Sequence, residues 1–152
     1  MSRNSWRHGE IMLTIGILLR AFARANPGWR VAVGDPGAKL KRSPDILRGP
    51  DVGVIREGRV PTGKGADGWL EGAPDLAVEI TGDSQTATGL LQKALEYLRA
   101  GAQRVWIVDT DAERLLVLSP PDHIQILGPT DILDGGDVLP GFRCEVSELF
   151  RT

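Results

Sequence analysis

The sequence predicts an α/β (α+β) fold in which two helices flank a mixed central β-sheet. Two segments, one from Ile11 to a stop at 26–28 and one at 84–100, repeat apolar residues at the spacing of a single helix face. Between and after them lie short apolar runs bounded by Gly, Pro and Asp, which are typical of strands. Because strands and helices do not alternate throughout, a Rossmann or barrel fold is not expected.

The elements follow from local patterns along the chain. The first helix carries its apolar stripe up to Phe22 and ends at Asn26-Pro27-Gly28, and Gly101 is placed to end the second. Two loops are expected: 44–50, bounded by prolines, and 57–74, which holds five glycines and two prolines. A final short element after the turn at 139–142 ends at Phe150. Strands are predicted at 29–34, 38–41, 51–55, 75–80, 104–109, 115–118 and 123–127.

Length and composition predict a single domain over residues 1–152. The chain is 41% hydrophobic and 25% charged, close to the average for soluble globular proteins. The apolar stretch at 11–19 is too short to span a bilayer and no small-residue cleavage site follows it, so a cytoplasmic protein without a membrane partner is expected. A single cysteine, Cys144, fits a reducing compartment, and two distant histidines argue against a structural zinc site.

The two halves of the sequence differ in charge although the net charge is only −2. Residues 1–64 hold twelve basic and five acidic residues, whereas residues 65–152 hold six basic and fifteen acidic ones. A basic half can form a positive face that attracts nucleic acid. The alternative is that folding mixes the halves so that the charges cancel.

One motif match carries no function. Residues 58–64 match the first seven positions of a phosphate-binding loop, Gly-x-x-x-x-Gly-Lys. Position 65 is Gly rather than Ser or Thr, and the glycines and proline that follow rule out the helix whose N-terminus would bind phosphate. Motifs of serine hydrolases, zincins and thioredoxin-type enzymes are absent from the sequence.

The remaining candidates for chemistry are carboxylates on two strands. Asp51 stands at the start of strand 51–55, and Glu79 lies inside strand 75–80, on the face opposite Leu76, Val78 and Ile80. A carboxylate in that position is costly unless it is paired, hydrogen-bonded or bound to metal. If the two strands are neighbours, both acids converge on one hard cation such as Mg²⁺. The alternative is a solvated strand face with a salt bridge to arginine.

Lys93 is the third candidate, on the flank of the second helix. It lies beside Leu90 and Tyr97, between the apolar face and the polar face. Its amine could reach toward the sheet, or the side chain could simply cover apolar surface while its charge stays in water.

These residues, taken in order, resemble the Uma-two family of restriction endonucleases in the PD-(D/E)XK nuclease superfamily. The resemblance runs from about His8 to Phe150 and rests on an ordered set of short motifs. They are Pro50-Asp51, Pro74-Asp75-Leu76-Ala77-Val78-Glu79-Ile80, Lys93 with Tyr97 and Gly101, Val105 to Asp109, Leu139 to Phe142, and Glu148 to Phe150.

The resemblance implies both a fold and a site. The fold is restriction-endonuclease-like, and Asp51, Glu79 and the backbone carbonyl of Ile80 would bind Mg²⁺, with Mn²⁺ as a substitute. The superfamily usually has its lysine at the position of Thr81. In this family the lysine lies instead on the following helix, and Lys93 is at the matching position. The implied reaction is hydrolysis of DNA phosphodiesters, with Lys93 orienting the attacking water. A non-catalytic nucleic-acid-binding or protein-interaction module is the alternative, and a small-molecule site on loop 57–74 is a third.

Two departures from the family pattern and one further match suggest accessory residues, and a third departure is Gly89, where the family commonly has an acid. The family's N-terminal strand segment with a Gly-Glu pair is expected to be missing, and Glu10 is the acid nearest in sequence to replace it. Gly82-Asp83 replaces the usual Ser-Pro, so Asp83 either adds charge at the site or caps the second helix with Ser84. Asp75 matches an acid that the family often carries. A homodimer is expected, because cutting two strands with one small site requires two copies.

Overall fold

The computed structural model describes residues 3–83 and 85–152. Two α-helices are present in them, α1 (Trp6–Ala25) and α2 (Ala87–Arg99). The strands are β1 (Trp29–Val33), β2 (Ala38–Lys41), β3 (Ile46–Arg48), β4 (Val52–Arg56), β5 (Leu70–Glu71), β6 (Leu76–Ile80), β7 (Arg104–Asp109), β8 (Arg114–Ser119), β9 (His123–Leu127), β10 (Ile132–Asp134) and β11 (Arg143–Glu145). Short 3₁₀ helices lie at Glu57–Arg59, Gly65–Gly68 and Val146–Phe150.

A six-stranded mixed sheet forms the centre, in the order β1-β4-β6-β7-β8-β9. Every neighbouring pair is antiparallel except β6 with β7, which are parallel. Parallel neighbours need a crossover connection, and α2 supplies it. The prediction of a mixed central sheet flanked by helices is therefore confirmed.

The two helices bury opposite faces of this sheet. Residues Ile11, Ile15 and Leu19 of α1 join a core with the apolar even-numbered residues of β4 and β6, which are Val52, Val54, Leu76, Val78 and Ile80. On the other face, Leu90, Ala94 and Tyr97 of α2 pack with Ala77, Val105 and Ile107. The alternation of strand side chains thus assigns each residue of β6 to one helix or the other.

A small second sheet, β3-β2-β5, corrects two sequence predictions. The segment 44–50 was expected to be a loop but contains β3, and the long loop 57–74 contains β5 and two 3₁₀ helices. β3 and β5 are three and two residues long, too short for a periodic pattern. They form because β2 offers each of them a partner, β3 antiparallel and β5 parallel.

The other boundaries lie close to those expected. α1 begins at Trp6 rather than Ile11, because Ser5 caps it by accepting the N–H of His8. The predicted helix 84–100 is observed as Ala87–Arg99, capped by Thr86, and the suggested cap at Ser84 lies outside the described residues. The short pair β10–β11 was not predicted. Across 3–83 and 85–152, no helix combines the length and apolar character needed to cross a membrane.

Asp75 ties the 57–74 segment to the central sheet. Its carboxylate is buried at the start of β6 and accepts the backbone N–H of Arg56 and a guanidinium N–H of Arg59, each over 3.0 Å. The Arg59 guanidinium also donates to the carbonyls of Glu71 and Ala73. One arginine and one buried acid therefore fasten both ends of the segment.

Replacing Asp75 by alanine is expected to lower the free energy of unfolding by about 1–3 kcal/mol, because it leaves a buried N–H and a charged partner unsatisfied. Chemical denaturation of Asp75→Ala measures the change. The exposed Asp83→Ala is the control and should stay within about 0.5 kcal/mol of wild type. Equal stability of the two variants would contradict this role for Asp75.

Candidate active site

The register of β4 and β6 brings Asp51 and Glu79 to the same end of the sheet. Val52 pairs with Val78 in an antiparallel ladder, so the next residues outward are Asp51 and Glu79. The N–H of Ile80 donates to Asp51 Oδ2 over 2.7 Å. The strands that carry the two predicted acids are therefore neighbours. The sequence analysis required this pairing for Asp51 and Glu79 to bind one cation together.

Asp51 is held through one of its two carboxylate oxygens. Oδ2 accepts the Ile80 N–H and lies 3.3 Å from Nε2 of His8. Within residues 3–83 and 85–152, Oδ1 has no hydrogen-bond partner. The Asp51 side chain is 9% exposed, so solvent has little access to this carboxylate at the end of the sheet.

His8 is a site residue that the sequence analysis missed. It lies in the first turn of α1 and is 3% exposed. Its hydrogen bond with Asp51 raises the pKa of the imidazole against the opposing effect of burial, and the backbone of Ile80 acts in the same direction. The signal was available, because His8 continues the buried stripe of Ile11, Ile15 and Leu19 at spacings of three, seven and eleven residues.

Glu79 is more deeply buried, with 1% of its surface exposed. Oε1 accepts the hydroxyl of Tyr97 over 2.9 Å, and Oε2 lies 3.2 Å from the amine of Lys93. Burial raises the pKa of the Glu79 carboxyl. Lys93 and Tyr97 act against that rise, while the nearby charge of Asp51 adds to it.

Lys93 and Tyr97 come from one side of α2, four residues apart and therefore one turn apart. Tyr97 is fully buried, and burial followed by the Glu79 charge raises the pKa of its phenol, so it remains a donor. The Lys93 side chain keeps 29% of its surface exposed. The side chain therefore contacts the buried carboxylate of Glu79 while remaining partly accessible to solvent.

The other residues singled out from sequence do not gather here. Thr81, at the superfamily's lysine position, bonds through its hydroxyl to the hydroxyl and backbone N–H of Thr110. Asp75 lies at the opposite end of β6 and is held by Arg59. Glu10 follows His8 by two residues and therefore points about 200° away from it around α1. Asp83 is exposed in the loop after β6.

The donor set at the site fits a hard divalent cation. It consists of the Asp51 and Glu79 carboxylates and the main-chain carbonyl of Ile80, and Mg²⁺ prefers oxygen ligands of this kind. The described part of the chain contains no cluster of three His, Cys, Asp or Glu side chains, as a zinc centre would require. A site of two carboxylates, with a carbonyl and water completing the shell, is what these residues could form.

The basic half of the sequence is partly neutralised by folding. Among the described residues, five ion pairs join a basic residue from 1–64 to an acid from 65–152. They are Arg7–Glu113, Lys39–Glu71, Arg42–Glu71, Arg48–Glu96 and Arg59–Asp75. The mixing that the sequence analysis left open as an alternative therefore occurs for these side chains.

Comparisons with known proteins identify the family and the fold. A family model described as "Putative restriction endonuclease", Uma2, matches residues 1–147. The chain belongs to the Uma2 family. Its fold is similar to a crystal structure from Anabaena variabilis titled a putative nuclease belonging to DUF820, with a TM-score of 0.82 and 19% identity over 98% of this chain and 83% of that one. No curated protein matches the sequence. The family resemblance expected from sequence is thus confirmed.

The raised pKa of Glu79 predicts a pH-dependent stability effect. The folded protein favours the protonated form of the Glu79 carboxyl. The contribution of this group to the free energy of unfolding is therefore fully present below its pKa in the unfolded chain and is lost as pH rises through its pKa in the folded protein. Glu79→Gln removes the buried charge and is expected to raise Tm relative to wild type at pH 7–8. The gain should shrink toward pH 4, and scanning calorimetry at several pH values measures it.

Glu96→Gln provides the matched control on α2. Its carboxylate is paired with Arg48 at 2.7 Å and is partly exposed, so its removal is not expected to stabilise the protein at any pH. A Glu79→Gln variant that is less stable than wild type at pH 8 would contradict the sign derived for Glu79.

Proposed function

We propose that this Uma2 protein is a Mg²⁺-dependent DNA endonuclease. Asp51, Glu79 and the Ile80 carbonyl hold the cation, and Lys93 orients the attacking water. The observation that carries the proposal is the contact between Lys93 and Glu79 on β6, beside β4 and Asp51. Two carboxylates and an amine at one end of a sheet are the groups that hydrolysis of a phosphodiester requires.

The chemistry follows from the residue types. Bound at the carboxylates, Mg²⁺ supplies positive charge beside the scissile phosphate and makes a water more acidic. Lys93 donates hydrogen bonds to the attacking water and to the charge that develops on the phosphate. Its partial exposure supports this role, because a lysine sealed in the core could not reach substrate. Tyr97 keeps Glu79 in place while Lys93 turns toward the reacting atoms.

DNA is the proposed substrate because the family is described as restriction endonucleases. Phosphate contacts would come from cations of the basic half that remain outside the ion pairs described above, such as the exposed Lys41 and Lys64. Contacts of this kind make binding sensitive to salt, so affinity for DNA should fall as ionic strength rises.

Incubation with supercoiled plasmid tests the proposal directly. Wild type should nick or linearise the plasmid in Mg²⁺ or Mn²⁺ and not in EDTA. Lys93→Ala is expected to lose about 100-fold or more in rate, the usual cost of removing a group that acts in the transition state. Arg99→Ala, exposed on the same helix, is the control and should cut at the wild-type rate. Cutting by Lys93→Ala at the wild-type rate would overturn the role of Lys93.

Calorimetric titration with Mn²⁺ separates metal binding from catalysis. Wild type should bind, and Asp51→Asn and Glu79→Ala should each abolish the signal, because each removes a ligand. Absence of binding to wild type would overturn the nuclease proposal. Metal-independent DNA binding without cutting would favour instead the non-catalytic module considered from the sequence.

We also infer a homodimer from the chemistry of duplex cleavage. One small site reaches one strand, and two copies related by a two-fold axis present a site to each strand. Light scattering of the purified protein should give twice the mass of 16.4 kDa. A monomeric mass at micromolar concentration, both with and without duplex DNA, would refute this inference.

A further inference from the structure

The observation that leads beyond the proposed site is a histidine in the core beneath α1. The buried residues of α1 are His8, Ile11, Ile15, Gly16 and Leu19, and His8 alone among these five has a polar side chain. Its Nδ1 is buried and has no hydrogen-bond partner within the described residues. Its Nε2 faces Asp51 Oδ2 at 3.3 Å.

Apolar packing does not account for this residue. A buried polar atom without a partner costs about 1–3 kcal/mol, whereas an apolar side chain of similar size would continue the stripe of isoleucines at no such cost. Polar groups that are costly to the fold are concentrated at functional sites. The position of His8 is therefore explained by what its other nitrogen contacts.

That contact determines which oxygen of Asp51 is available. The Ile80 N–H and Nε2 of His8 both contact Oδ2 of Asp51. Oδ1 has no partner in the described part of the chain. With the Ile80 bond alone, the carboxylate could turn and exchange its two oxygens. With the second donor, from a different element, the orientation is held. A partner that fixes a ligand in this way typically contributes 10- to 100-fold to metal affinity.

We infer that His8 is a positioning residue that holds Oδ2 of Asp51 so that Oδ1 remains free to bind the divalent cation. This inference rests on the proposed metal site. It assigns a part of that site to α1, on the face of the sheet opposite α2. His8 touches neither substrate nor cation in this role and acts through Asp51.

Calorimetric titration with Mn²⁺ of the full chain tests the inference. His8→Leu removes the donor and is expected to weaken the affinity 10- to 100-fold, and its Tm is measured beside that of wild type to show that the variant is folded. His8→Gln keeps an N–H donor at the end of the side chain and should restore affinity to within a few-fold of wild type. Ile15→Val, a mild core change on the same helix, should leave the affinity unchanged.

A second measurement uses the unmodified protein. In ¹⁵N-histidine NMR spectra, addition of Mg²⁺ should shift the ring nitrogen signals of His8 and leave those of His123, which is exposed on β9, unchanged. This readout does not depend on whether His8→Leu folds. A histidine that only fills space would not respond to the cation.

The outcomes separate this inference from the proposed function. If wild type binds Mn²⁺ and Asp51→Asn does not, the metal site stands. Wild-type affinity in His8→Leu, or unchanged His8 signals on addition of Mg²⁺, would then overturn the role of His8 alone. If wild type itself binds no divalent cation, the metal site and the role of His8 fail together.

Discussion

The antiparallel pairing of β4 with β6 is the constraint on which the candidate site depends. It sets Val52 against Val78 and so brings Asp51 and Glu79 out at one end of the sheet. A slip of one residue would turn Glu79 toward the apolar face under α1, because side chains alternate between faces. Apolar burial of the even-numbered residues by α1 opposes that slip. The apolar core residues therefore determine how Asp51 and Glu79 are placed relative to each other.

The two helices divide the task of holding these acids. From α1, His8 reaches Asp51, and from α2, Tyr97 and Lys93 reach Glu79. Carboxylates buried to this degree are costly without donors, and here backbone and side-chain donors are supplied from three elements. The result is a pair of acids that are oriented before any ligand arrives, which is the property that precise sites require.

The parts of the fold that could be predicted are those with a long local pattern. Helix α2 and strands β6, β7 and β9 repeat apolar residues over five or more positions, and their positions match the expectation closely. Strands β3, β5, β10 and β11 span two or three residues, and such segments become strands only through their partners. Sequence patterns describe near neighbours along the chain, so these pairings could not be read from them.

The same limit applies to the site. Asp51, Glu79 and Lys93 stood out because charged groups beside apolar neighbours demand an explanation. Tyr97 has the appearance of an ordinary core residue on a helix face, and only its contact with Glu79, eighteen residues earlier, assigns it to the site. His8 is separated from Asp51 by more than forty residues, which include the rest of α1 and strands β1–β3. No local rule connects them.

His8 lies in the first turn of α1 and Tyr97 in the last turn of α2, so each acid is held in part from a helix end. Helix ends open far more often than helix centres, and such opening occurs without unfolding of the whole molecule. Opening of the first turn of α1 would release Asp51 from His8, and opening of the last turn of α2 would release Glu79 from Tyr97. Amide hydrogen exchange in residues 6–9 is then coupled to the order of a carboxylate on a distant strand. The opening rates of two helix ends thus limit how long both acids stay oriented.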